Sequence, residues 1–394
     1  MKRIIWIGLL FVPILLQAAV DPLFERYVAI GDSITHGFQG GAVDESRQQA
    51  IYPVLLAELM QTEFNVPKVK FPGYLVNLED VGKGTIQWWQ YYYVLVGGVR
   101  TDRYQQQGTL NNFAITGSDI STIQEKPAKS EDVFDYLGNR LFYLVLGEQG
   151  ESAVEQALAR NPTFLTLWIG NNDVLSTALW TDPSKMTPVD VFTARMNQLV
   201  ARIKQTPALK GVAIATVPDV ASIAYLQETN DPDVPPRSLA AFWNVDISTE
   251  GDVLDPNEIA LIRERAKTIN EVIRNVAATN GWALFDAERV FNEVIEQGYV
   301  LHDAQGNPTD RVISSEYLGA LFSLDGVHPS ITGHAVIANY FSKAINQTYG
   351  TQLGLIDEYA ASEKDSLYGE PYDPRGFIHS WEWHVIQFVL SLFM

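Results

Sequence analysis

Short apolar runs rich in β-branched and aromatic residues alternate along the chain with longer stretches whose apolar positions recur at helical spacing. Arg26–Gly31, Asn112–Thr116, Thr163–Ile169, Gly211–Val217 and Trp282–Phe285 read as strands. Ala50–Phe64, Glu151–Arg160, Val189–Gln205 and Asn257–Asn280 read as helices. Repeated alternation of the two predicts an α/β domain, a parallel sheet with helices on both faces joined by right-handed crossovers.

Four stretches depart from that rhythm. At the N-terminus, Lys2 and Arg3 precede an apolar run, Ile4–Leu16, and the small pair Ala18-Ala19. This is the layout of a secretory signal peptide over residues 1–19, with an uncleaved anchor or a buried helix as the alternatives. Gln39–Gly108 is a long insert that holds the aromatic run Trp88-Trp89-Gln90-Tyr91-Tyr92-Tyr93. Because the insert leaves just after Ser33 and returns just before Gly117, that run either walls a pocket there or packs in the core. Asp231–Asp255 is rich in Asp and Pro and reads as a solvated excursion; Asp231, Asp233, Asp246 and Asp252 lack EF-hand spacing. The apolar C-terminal segment 377–394 either docks on the domain, which occupies 20–376, or touches a membrane.

Composition narrows the function. Lys and Arg total 28 against 47 Asp and Glu, a net charge of −19 that becomes −21 once Lys2 and Arg3 are removed. Such an acidic chain is unsuited to nucleic acid, which requires a basic face, and to electrostatic docking on anionic lipid. With no cysteine, disulfides, thiolate metal sites and a cysteine nucleophile are excluded. An exported chain without cysteine suits a bacterial periplasm or culture fluid.

Four short motifs carry candidate chemistry. Gly31-Asp32-Ser33-Ile34 ends the first strand, and ligands of open parallel sheets bind at the carboxyl ends of strands. Asn111–Gly117 ends in a glycine that lets a backbone N–H approach a ligand or simply makes a turn. Gly170-Asn171-Asn172-Asp173 follows another strand; Asn172 can donate to a developing oxyanion or cap a helix. Asp325-Gly326-Val327-His328 puts a base and its orienter on one loop ahead of a terminal helix begun by Pro329. Asp32 and Asp173 read as loop holders, and His36 as a bystander close to Ser33.

In this order the four motifs resemble those of the SGNH, or GDSL, hydrolase family, and Val217-Pro218-Asp219 is similar to a further segment of it. The resemblance implies a three-layer α/β/α flavodoxin-like sandwich and no cofactor or metal. It also implies a nucleophile at Ser33, a base at His328 oriented by Asp325, and oxyanion donors at Ser33, Gly117 and Asn172. No Gly-x-Ser-x-Gly surrounds Ser33, so the α/β-hydrolase elbow is not the pattern. The insert resembles the larger lipase-type branch. The expected activity is hydrolysis of carboxylic esters of small molecules, lipids or glycans; the alternatives are a glycan acetyl esterase and a non-catalytic surface binding protein on the same fold.

Overall fold

The computed structural model describes residues 20–69, 109–125, 151–175, 183–226 and 256–365, with positions 73, 77, 79, 80, 141, 142 and 144–147 between them. The expected signal peptide, the aromatic run Trp88–Tyr93, the excursion Asp231–Asp255 and the segment 377–394 lie outside the described residues.

In chain order the elements are β1 (Tyr27–Gly31), α1 (Ser33–His36), β2 (Phe38–Gln39), β3 (Ala42–Val43), α2 (Glu45–Gln48), α3 (Tyr52–Met60), α4 (Ala153–Ala159), β4 (Phe164–Trp168), α5 (Val189–Lys204), β5 (Gly211–Ala215), α6 (Pro256–Asn280), β6 (Ala283–Phe285), α7 (Ala287–Gln297), β7 (Tyr299–His302), β8 (Pro308–Ile313), α8 (Ile331–Tyr349) and α9 (Glu358–Ser362). β1, β4, β5 and β6 pair in that order, all parallel. Every residue of β1, β4 and β5 is buried, as expected of parallel strands covered on both faces.

Alternate side chains on those strands feed two cores. Val28, Ile30, Leu165, Leu167, Val212 and Ile214 pack under α4, α5 and α6. Tyr27, Ala29, Phe164, Trp168, Ala213 and Ala215 pack under α3 and α8. The small alanines on β5 leave room for Phe341 of α8, whose ring stacks on Tyr52 of α3 at 5.0 Å. These are the three layers expected. α3 falls inside the span read as an insert, yet it is part of one layer, so that span begins with scaffold. It is also shorter than the expected Ala50–Phe64, because Gln61 turns into the left-handed region at φ 54° and ends it.

The expected strand Asn112–Thr116 appears as a single bridge from Asn112 to Ala29. Its backbone nevertheless follows the free edge of β1, with Phe113 N–H donating to Ala29 O and Ile115 N–H to Gly31 O. The Asn112 side chain takes over further bonds, donating to Thr35 O and accepting from Ala114 N–H. Counting this edge, the spatial order is second, first, third, fourth, fifth in the chain, the flavodoxin-like order. Its switch point lies between β1 and β4, where ligands of such sheets bind.

Candidate active site

Ser33 follows β1 after a single residue, Asp32. Asp32 caps the short helix α1, accepting from Ile34 N–H at 3.1 Å, so Ser33 occupies its first turn. Gly31 fits because a side chain there would lie 2.8 Å from Trp168 O and closer still to Thr35. Across the switch point, Asn171 Nδ2 donates to Asp32 Oδ2 at 2.8 Å and ties the end of β4 to the nucleophile turn.

His328 Nε2 lies 2.9 Å from Ser33 Oγ, and its Nδ1 lies 3.0 Å from Asp325 Oδ2. Asp325 Oδ1 accepts from Val327 N–H at 2.9 Å and His328 N–H at 2.8 Å, while Oδ2 also accepts from Gly41 N–H at 3.0 Å. Burial alone would raise the Asp325 pKa. The neighbouring His328 and these bonds outweigh burial and hold it below the usual carboxylate range. An ionised Asp325 accepts the Nδ1–H of His328, which leaves Nε2 with its lone pair toward the Ser33 hydroxyl. The loop itself is closed by Ser323 N–H donating to His328 O at 2.8 Å. Contrary to the expectation from the sequence, Pro329 does not begin the terminal helix; Ser330 caps α8 by accepting from Gly333 N–H.

Gly117 sits at φ +83°, a conformation that favours glycine, and a side chain there would meet nothing within 4 Å. Backbone conformation rather than lack of room therefore requires glycine here. Asn172 Nδ2 donates to Ser118 O at 2.8 Å, so Asn172 holds the loop that carries Gly117. His36, at the other end of the turn that Ser33 begins, accepts from Thr116 N–H through Nδ1 at 3.3 Å. Burial pushes its pKa down to about 4, so it is a neutral loop support. The hydroxyl of Ser33 is met by His328, whereas the ring of His36 contacts Thr116.

Three further participants were not read from the sequence: Asn171, Gly41, and Phe38, whose ring lies 4.7 Å from that of His328. The Gly40-Gly41 pair between Phe38-Gln39 and Ala42-Val43 is a hairpin signal that could have found the last two. No group of three or more His, Asp or Glu among the described residues is placed to hold a metal.

Asp173 holds a loop as expected, accepting from Ile120 N–H at 3.1 Å, and burial pushes its pKa up to about 7. Its raised value fixes a sign. The native state keeps a proton that the unfolded state, with an Asp of 3.8, has released. This contribution is therefore full below pH 3.8 and lost as pH rises through about 7. Asp173→Asn keeps the acceptor for Ile120 and removes the titration. Relative to the parent, its unfolding free energy is expected to fall by about 1.4 kcal/mol for each pH unit of acidification within that window. Urea unfolding of both proteins across the window checks this, and parallel curves would mean that Asp173 is ionised in the fold.

Residues 27–341 match the family model described as GDSL-like lipase/acylhydrolase. No curated protein sequence matches the chain. Among solved structures, the acetylxylan esterase Axe2 from Geobacillus stearothermophilus is 18% identical, with 84% of this chain and 95% of that chain covered at a TM-score of 0.39. LAE5, an alpha/beta hydrolase enzyme from the metagenome of Lake Arreo, Spain, is 17% identical, with 81% and 94% covered at a TM-score of 0.36.

Proposed function

The chain belongs to the GDSL-like lipase/acylhydrolase family and is a carboxylic ester hydrolase, and from that premise we propose that it is an exported serine hydrolase working through an acyl-enzyme on Ser33. The observation that carries the reading is the contact between Ser33 Oγ and His328 Nε2, 2.9 Å across 295 positions of sequence.

Ser33 Oγ attacks the ester carbonyl carbon as His328 Nε2 takes its proton. Asp325 stabilises the imidazolium that forms. The tetrahedral state collapses by breaking the bond to the alcohol oxygen, which takes the proton from His328. Water then gives a proton to His328 and attacks the acyl carbon; Ser33 leaves and recovers that proton. The N–H groups of Ser33 and Gly117 and the amide of Asn172 are the proposed oxyanion donors, each worth about 10²–10³ in turnover by analogy with other oxyanion holes. Export rests on the pattern at residues 1–19.

An organophosphonate ester tests the nucleophile. It is expected to inactivate the protein stoichiometrically and to add its phosphonyl group to the peptide containing Ser33. Ser118 is a useful internal control, since it is fully buried and its hydroxyl has no hydrogen-bond partner among the described residues. A label on Ser118, or no label on Ser33, would sink the assignment.

A further inference from the structure

An apolar cavity of about 90 Å³ opens from Ser33 and His328. It extends past the ends of β4 and β6 to α7 and α8, where Trp168, Phe285, Phe291, Val294, Phe322 and Ile337 line it. All six are buried. Among the described lining residues, Ser33, Asn171 and His328 supply the polar groups beside the reacting atoms, and Tyr340 adds a phenol. The indole N–H of Trp168 is already committed to Thr216 O at 3.1 Å. Gly117 and Asn172 are not among its described lining residues.

A sugar ring in such a space would bury hydroxyls without partners, a cost of roughly 2–7 kcal/mol for each in an apolar medium. A hydrocarbon chain would bury only methylenes, which such a space favours. An ester has two halves that could carry that chain, and the order of the chemistry separates them. The alcohol must leave and water must take its place beside His328 before the acyl-enzyme can turn over. A cavity walled by buried apolar side chains gives poor passage to either. The acyl group, in contrast, stays attached to Ser33 through both half-reactions and needs only to be held.

We propose that this cavity is the acyl subsite, and that the substrate is an ester of an unbranched short- to medium-chain fatty acid. The proposal rests on Ser33 being the nucleophile. Val294 and Phe291 of α7 then act as specificity-determining residues, and a space of this size holds a handful of carbons.

Two ester series test it: p-nitrophenyl esters from acetate to palmitate, and acetates of alcohols from methanol to octanol. In the first, kcat/KM is expected to rise about fourfold for each methylene that enters the cavity, at least tenfold in all between acetate and hexanoate, and to fall again by palmitate. The second series is expected to show no comparable rise. Val294→Phe, which fills the cavity, is expected to lower the hexanoate-to-acetate ratio at least tenfold. Its melting temperature reports whether it folds, and the wild-type profile stands as a test if it does not. Ser33-dependent turnover that is flat with acyl length or greatest on acetate overturns the acyl subsite and leaves the esterase reading intact. So does a rise with the alcohol chain instead, or a folded Val294→Phe with an unaltered ratio. No turnover of any ester overturns both.

Discussion

Ser33→Ala is expected to lower ester turnover by about 10⁴–10⁶-fold, the loss typical when a serine nucleophile is removed from a unit that acts together. The hydroxyl is the only atom lost, and its bond in the structure is to His328 Nε2 at 2.9 Å. That contact serves chemistry more than packing. The turn survives because it is held by other groups: the Asp32 cap on Ile34 N–H, the Asn171 amide on Asp32, and Gly37 N–H on Ser33 O. A melting temperature within a few degrees of the parent is therefore expected alongside the loss. Whatever rate remains comes from bound water working with His328 and the oxyanion donors, without an acyl-enzyme. Two measurements check the prediction together, steady-state hydrolysis of p-nitrophenyl hexanoate and a thermal scan. A folded Ser33→Ala protein that keeps a tenth of the parent rate would remove Ser33 from the nucleophile's position.

What could be read from the sequence was what is local in it. β1 and β5 announce themselves as unbroken apolar runs, and β4 as one interrupted only by Thr166, because both their faces are covered. Asp325 and His328 share one loop, so their spacing of three survives as a motif, and the turn at Asp32-Ser33 is defined by its own neighbours. What could not be read was set by packing across the chain. Gly41 N–H reaches Asp325 over 284 positions, and Asn171 reaches Asp32 over 139. Neither contact has a local signature, since a glycine N–H and an asparagine amide serve many turns equally well. The helix α3 was legible but its place in a layer was not, because Tyr52 and Leu56 become core only once α8 packs beside them. The hairpin of β7 and β8 was unread because it is largely exposed, with Val300 and Val312 paired on its surface.

His328→Ala is expected to be nearly as damaging as Ser33→Ala, and the double variant no worse than either, because the two remove the same step. Without the imidazole, the Ser33 hydroxyl has no acceptor for its proton and the leaving alkoxide no donor. Asp325→Asn belongs in the same experiment. The resemblance to SGNH sites, some of which partly orient the histidine through backbone carbonyls, implies a smaller loss than that of His328→Ala; the bonds around Asp325 argue otherwise. In the structure each Asp325 oxygen accepts two N–H groups: Val327 and His328 backbone on one, Gly41 and the His328 ring on the other. An amide in that position must point its NH₂ at donors in either orientation, which leaves an unmet N–H in a buried site or turns His328 to the wrong tautomer. Asp325→Asn is therefore expected to lose about 10⁴-fold in turnover, as a comparable triad does when the wrong tautomer is imposed, and to lower the melting temperature as well. His36→Ala supplies the contrast. It strips an acceptor from Thr116 N–H and leaves a buried gap, so stability should fall clearly while turnover falls far less than with His328→Ala. Parallel kcat/KM and melting measurements on these five variants decide the point. If His36→Ala abolished turnover and His328→Ala left it standing, the base would be His36, and the 2.9 Å contact from His328 Nε2 to Ser33 Oγ would have no part in the chemistry.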